Sequence, residues 1–426
     1  MNKKALNAGS ISLIIIALSL AVFPTKAQNN TSNPYSMYGL GELRSQTNAA
    51  NAGMGNAGLG LPSGAFLNVL NPASYTGIDS LNFLFEIGAD GQYSQFESQG
   101  NFANASHMNL SYMAMGFRIN KWAAAGLGLN PYSNSGYEIN SGAWIEGTSY
   151  QYPLDIIGSG NLSRVYLAFS ATPVKNLSLG VKPSFLFGKL VQTQYHNLSV
   201  IGSSSVSNVT TDYFHNFFIE FGAQYTIHLR PGDLSVGLTY NPGTALETKR
   251  NHTTYDDAGR IYENRTETNR DNFLVPAEYG FGLGFTGKNR MIYALDAGIQ
   301  KWSNYDYSDE KRANIRLQDN PYVRAGLQFT PSLNYLSKFY KRVNYRLGVS
   351  YAKSYLDLRS TDQKEICVSL GFGLPVQIQN QRSRIDVSFE GGQNGTVKNS
   401  LIQETFLRVR VGFSLRDLWF QHRIYN

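Results

Sequence analysis

Phe406-Leu-Arg-Val-Arg-Val-Gly-Phe-Ser-Leu415 alternates apolar and polar side chains almost without a break. Leu407, Val409, Val411, Phe413 and Leu415 fall on one face of an extended chain. Arg408, Arg410, Gly412 and Ser414 fall on the other. A strand with one oily and one charged face belongs at a boundary between hydrocarbon and water. The same period of two recurs upstream. Leu234, Val236, Leu238 and Tyr240 oppose Ser235, Gly237 and Thr239, and Val343, Tyr345, Leu347, Val349 and Tyr351 oppose Asn344, Arg346, Gly348 and Ser350.

Working outward, alternating segments fall near 81–96, 106–119, 121–137, 161–172, 176–192, 211–228, 232–246, 272–286, 290–303, 320–330, 342–356, 363–377, 382–391 and 403–416. That makes about fourteen strands, an even number as single-chain bacterial barrels require. Connections after even-numbered strands are short and turn-like, as in Thr172-Pro-Val-Lys175 and Arg230-Pro-Gly-Asp233. Those after odd-numbered strands read as long polar loops, 138–160, 193–210, 247–271 and 304–319. Short periplasmic turns and long outer loops are the outer-membrane rule. The segment 331–341 is an exception, a longer periplasmic connection holding Leu333, Leu336, Phe339 and two lysines. The expected fold is an all-β, antiparallel transmembrane barrel spanning 81–416.

The first 27 residues read as a signal peptide. Lys3 and Lys4 precede an apolar run from Ile11 to Phe23 broken only by Ser12 and Ser19, and Thr25-Lys-Ala27 supplies small residues for cleavage before Gln28. A membrane-spanning helix needs about 20 apolar residues, more than this run offers. The reading places the mature protein in the outer membrane of a Gram-negative bacterium. Loss of Lys3, Lys4 and Lys26 takes the formal charge from +7 to +4, too little to imply nucleic acid. Cys367 is the one cysteine and reads as a small residue of the wall. Residues 28–80 lack the strand pattern but are apolar and glycine-rich, which suits a plug folded tightly within the lumen. Residues 417–426 read as a short periplasmic tail.

Gly53-Met-Gly-Asn-Ala-Gly58 followed by Asn71-Pro-Ala73 resembles the N-terminal hatch of the FadL/TodX-like outer-membrane channels. Gly158-Ser-Gly-Asn-Leu162, Asn176-Leu-Ser-Leu-Gly180 and Phe187-Gly188 are similar to FadL-like and PorV-related barrels of Bacteroidota, as is the ending Gly412 to Asn426. The resemblance implies fourteen strands with a lumenal hatch. Gly53, Gly55, Gly58, Asn71, Pro72 and Ala73 carry over as hatch residues. It also implies either of two functions. One is passage of hydrophobic compounds, fatty acids among them, with lateral escape through a gap in the wall; the other is a role as a subunit of secretion machinery.

Chemistry is sparse. His107, His196, His215, His228, His252 and His422 show no metal-ligand spacing. The acids Asp256, Asp257, Glu263 and Asp271 are interleaved with Lys249, Arg250, Arg260, Arg265 and Arg270, which reads as a solvated loop rather than a calcium site. No nucleophile–base pair can be named, and no enzyme, metal or cofactor is implied. With apolar faces on lipid, Arg164, Lys182, Glu278, Asp296, Arg324, Arg346, Arg384, Asp386, Glu390, Arg408 and Arg410 point into the lumen. A neutralised network holding the plug is the plainer reading of that set. A hydrophobic ligand would need an apolar pocket, and the candidate lining is Phe66, Leu67, Val69, Leu70 and Tyr75 of the plug with Tyr132, Tyr137, Trp144, Tyr150 and Tyr152. Two functions are therefore expected in turn. The first is a channel moving a hydrophobic, fatty-acid-like molecule by binding and diffusion. The alternative is a non-catalytic barrel subunit of a secretion or barrel-assembly machine, whose partners are proteins as well as outer-membrane lipid.

Overall fold

The computed structural model describes residues 31–418 apart from Ser32, Ala65, Leu81, 270–272, 306–314, 335 and 379–380. The proposed signal peptide therefore lies outside the described residues. Fourteen antiparallel staves follow one another around a closed wall. These are β1 (Asn82–Ser98), β2 (Asn101–Arg118), β3 (Ala123–Trp144), β4 (Gln151–Val174), β5 (Leu177–His196) and β6 (Val206–Leu229). Next come β7 (Gly232–Asn241 with Glu247–Asp256), β8 (Ile261–Asn269 with Ala277–Gly287), β9 (Met291–Lys301) and β10 (Ile315–Leu317 with Asn320–Phe329). The last are β11 (Asn344–Leu358), β12 (Thr361–Ile378), β13 (Gln381–Gly395) and β14 (Gln403–Leu418). β14 pairs with β1 from Asn82↔Leu418 to Glu97↔Gln403 and closes the ring. Closure pairs the first and last strands, which matters in hydrocarbon, where an unpaired backbone group costs several kcal/mol. The last strand runs to Leu418, so Asp417 and Leu418 belong to the wall rather than to a tail, because β1 supplies partners that far.

Faces follow the alternation. Leu407 and Val411 are 53% and 36% exposed on the outer face, while Arg410 beside them is 1% exposed. Leu238, Tyr279, Phe281, Leu347, Val349, Ile366, Val368 and Leu370 are likewise exposed outward. Cys367, between Ile366 and Val368, faces in and is buried.

The outer connections differ from the expectation. Segments 138–160 and 247–271 are mostly strand: β3 and β4 pair out to Trp144↔Gln151, and β7 and β8 pair from Thr248↔Asn269 to Tyr255↔Ile261. The true connections are brief hairpin tips. In these outer segments most side chains on both faces are polar, so the apolar alternation fades while the hydrogen-bond ladder continues. Polarity without alternation therefore reads as loop in the sequence and is strand in the fold.

Candidate functional site: the plugged lumen

The described residues of 33–80 lie inside the ring with little regular structure, among them two 3-10 turns (Pro34–Met37 and Pro72–Gly77), one α turn (Ala49–Ala52) and a two-residue strand (Glu42–Leu43). A chain so irregular must satisfy its backbone by other means once water is excluded. Asparagines do it here. Asn33, Asn48 and Asn71 accept from the amides of Tyr35, Asn51 and Ala73 at 2.9, 2.8 and 3.0 Å and start the three turns. Asn68 donates to the carbonyls of Gly58 and Leu61, both at 2.6 Å, and Asn51 donates to that of Ala57 at 2.7 Å.

The wall grips this plug with charge. One Asp296 oxygen accepts from the amides of Gly58 and Leu59 at 2.7 and 2.9 Å. Glu86 accepts from the Leu67 amide at 2.9 Å and from Asn48 at 3.2 Å. Arg410 donates to the carbonyl and hydroxyl of Thr47 at 3.0 and 2.9 Å. Lys182 donates to the Val69 carbonyl at 3.3 Å, and Arg44 of the plug pairs with Asp90 of β1. The remaining charges pair within the wall: Arg164 and Lys182 with Glu220, Arg346 and Arg384 with Asp386, and Arg408 and Arg410 with Glu390. Glu278 accepts from Gln300 and Tyr322, each at 3.0 Å, and the Arg324 guanidinium lies 4.2 Å from the Tyr322 ring centroid. All eleven charges named from the sequence thus face the lumen. Glu86, Asp90 and Glu220 were not singled out, although Phe85, Ile87 and Ala89 alternate with the first two and Ile219 and Phe221 flank the third.

Close packing completes the grip. Lumen-facing glycines on neighbouring strands let the plug backbone touch the wall backbone. A Cβ at Gly348 would overlap the Gly55 nitrogen, and one at Gly326 would overlap Met54. A Cβ at Gly371 would sit 2.8 Å from the Gly53 Cα. Similar overlaps arise at Gly237 with Leu59, at Gly180 with Pro72 and at Gly222 with Asn71. Gly326 and Gly348 are register partners, as are Gly237 and Gly282, so the clear track runs from strand to strand. The hatch-motif residues Gly53, Gly55, Asn71 and Pro72 lie on this track, Gly58 is held by Asp296, and Ala73 is buried beside Pro72.

The aromatic and aliphatic residues expected to line one pocket are dispersed. Phe66 packs with Met54, Leu61 and Ala294, while Leu67, Val69 and Tyr75 pack with Ile78, Leu84 and Tyr166. Tyr132 joins a separate outer cluster built on Leu40, Phe214, Phe273, Trp302 and Tyr355. Tyr137 is buried, Trp144 and Tyr150 are 64% and 66% exposed, and the Tyr152 hydroxyl lies 3.0 Å from His196. No local pattern marks the outer cluster, because its buried members come from nine separate stretches of chain between Leu40 and Leu401. Cavities of about 220 and 120 Å³ lie among the described residues. Glu42, Arg44, Arg324, Glu365, Arg408 and Arg410 line the larger; Leu70 and Val69 meet Arg164, Lys182, Glu220 and Glu278 in the smaller. Among the described residues no group of His, Cys, Asp and Glu could hold a metal ion.

Among the described residues, the ladder between β2 and β3 is a weak seam of the wall. β2 and β3 pair only from Met113↔Leu129 to Arg118↔Ala124, although both strands continue much further outward. Above that point β2 pairs with β1 alone, and β3 shifts register against β4 at Pro131–Ser133, where proline offers no N–H. The plug fills the vacated edge. Glu42 and Leu43 pair with Asn134 and Ser133, the Arg44 amide donates to the Tyr132 carbonyl at 2.9 Å, and the Gly136 amide donates to the Ser36 hydroxyl at 3.0 Å.

The family model of BamG matches residues 10–426. The chain belongs to the BamG family. Solved structures with the same fold include the toluene transporter TodX of P. putida, 16% identical with a TM-score of 0.61 over 90% of this chain and 99% of that one. A FadL homologue of Pseudomonas aeruginosa is 14% identical with a TM-score of 0.60, covering 88% of this chain and 98% of that one. The toluene transporter TbuX of Ralstonia pickettii is 14% identical with a TM-score of 0.57, covering 87% and 98%. At such identities the likeness concerns architecture, and this BamG-family chain is a FadL-like barrel of the outer-membrane type. No curated relative matches it.

Proposed function

We propose that this BamG-family barrel is a non-catalytic, permanently plugged subunit of an outer-membrane secretion or barrel-assembly machine in a Gram-negative bacterium. The observation that carries the reading is the contact between plug backbone and the glycine track of the wall. A hatch that moved would have to break that contact together with the buried bonds of Asp296, Glu86, Arg410 and Asp90. Burying such charges is tolerable only while they remain paired and hydrogen-bonded, so a partly opened state is costly. Charged side chains line both of the cavities described, whereas a pocket for a hydrophobic ligand is predominantly apolar. Membership of the BamG family supports the same reading.

The second reading is a channel for a hydrophobic, fatty-acid-like compound, and the observation favouring it is the unzipped seam between β2 and β3. In that case the plug segment 36–44 would have to leave the β3 edge. Purification of the native protein in mild detergent, with mass spectrometry of proteins and lipids, separates the two. Partner proteins in fixed ratio are expected. A lone barrel carrying a stoichiometric hydrophobic compound would overturn the subunit reading in favour of the channel.

A further inference from the structure

The connection between β10 and β11 is far longer than the other periplasmic turns, and it presents what a soluble surface avoids. Leu333 and Leu336 are each 78% exposed, and Phe339 and Tyr340 are 44% and 55% exposed. The segment is nonetheless held by its own bonds. The Ser332 amide donates to the Lys341 carbonyl at 2.6 Å, the hydroxyls of Ser332 and Ser337 lie 2.8 Å apart, and the Leu336 amide donates to Asn334 at 3.0 Å. Arg290 of the neighbouring β8–β9 turn donates to the Pro331 carbonyl. The exposed apolar side chains therefore sit on a built platform.

Two observations say what covers it. First, the platform is continuous with the lipid-facing wall. The Tyr345 hydroxyl donates to the Tyr340 carbonyl at 2.9 Å, and Tyr345 is the register partner of Phe329. Tyr345 and Phe329 are both outward, 36% and 38% exposed at the periplasmic ends of β11 and β10. Second, the apolar residues are interleaved with cations. Lys338 and Lys341 are exposed and, among the described residues, make no ion pair, while Arg342 lies 5.9 Å from the Phe339 ring centroid. An apolar surface flanked by lysines, beginning where the hydrocarbon ends, matches the interface of a phospholipid leaflet. There apolar side chains enter the headgroup–acyl boundary, and nearby lysines are attracted to anionic lipid.

We propose that residues 331–334 and 336–342 form an interfacial anchor. Leu333, Leu336, Phe339 and Tyr340 enter the periplasmic leaflet, and Lys338 and Lys341 bind the phosphates of anionic phospholipids. The anchor adds a local, lipid-binding contact on one side of the barrel to the depth already set by the apolar band.

The test uses full-length protein carrying Cys367→Ala and Leu336→Cys, labelled with bimane and reconstituted in vesicles of phosphatidylcholine with phosphatidylglycerol. Quenching by a lipid nitroxide near the headgroup is expected to exceed quenching by aqueous iodide at least threefold. A label at Asn289→Cys, in the neighbouring turn, should show the reverse. Adding Lys338→Glu and Lys341→Glu should lower lipid quenching at least twofold in anionic vesicles and leave it unchanged in pure phosphatidylcholine. Iodide quenching equal to that of the Asn289→Cys label would overturn the proposal. So would a label open to iodide in vesicles but shielded in native membranes, which would make a protein the occupant.

Discussion

Replacing Gly348 by alanine should loosen the plug far more than its single methyl group suggests. The added Cβ would fall on the Gly55 nitrogen and the Met54 carbonyl carbon, backbone atoms that cannot rotate aside. Overpacking a tight interior typically costs 1–3 kcal/mol when side chains can adjust. Here the adjustment must displace 53–59 as a unit, which stretches the bonds from the Gly55 amide to Ser369 (2.9 Å) and from the Gly58 and Leu59 amides to Asp296. About 3 kcal/mol is the expected destabilisation of the docked plug. At about 1.4 kcal/mol per tenfold change, local opening becomes roughly 100-fold more frequent. Hydrogen–deuterium exchange of peptides covering 49–60, in intact barrels, reads this directly. Gly391→Ala is the control, because Gly391 is exposed and a Cβ there meets nothing within 4 Å. Equal exchange of residues 49–60 in the two variants would refute the claim that backbone contact locks the plug.

Other substitutions probe the remaining contacts. Asp296→Ala should leave two buried amides without an acceptor, at about 1–3 kcal/mol each, and accelerate exchange at Gly58 and Leu59; Asp296→Asn should retain part of the protection. Val411→Lys, on the lipid face, should impair assembly by about 2–4 kcal/mol, measured as folded yield in vesicles. Arg410→Gln should assemble but raise exchange around Thr47, since Arg410 holds that residue; equal loss of assembly for both would reverse the assignment of faces. Asp90→Asn should release Arg44 and, with it, the short strand at 42–43, seen as faster exchange at the β3 edge around Ser133–Gly136.

The barrel was legible because its signal is local. Leu407 to Leu415 alternate with Arg408 to Ser414 regardless of what lies opposite, and lipid on one side with polar contacts on the other makes that alternation obligatory. The inward charges follow from the same period, which is why Arg410 or Asp386 can be placed from sequence alone. The outer hairpins were not legible, since Thr248 to Asp256 carry mostly polar side chains on both faces and lose the apolar period while keeping their partners.

The plug is the opposite case. Its composition says that residues 28–80 pack tightly, and Gly53 to Gly58 mark where. That Gly55 meets Gly348, that Asp296 serves Gly58 and that Glu42 pairs with Asn134 depend on residues from about 90 to nearly 300 positions away. No local pattern encodes such distances. Phe66, Tyr75 and Tyr132 have the chemistry of a pocket, yet the fold assigns them to three separate packed clusters. Sequence by itself determined a transmembrane wall and the direction each side chain takes from it. Only the tertiary structure decided how the space inside is filled, because the contacts depend on which surfaces closure of the ring brings together.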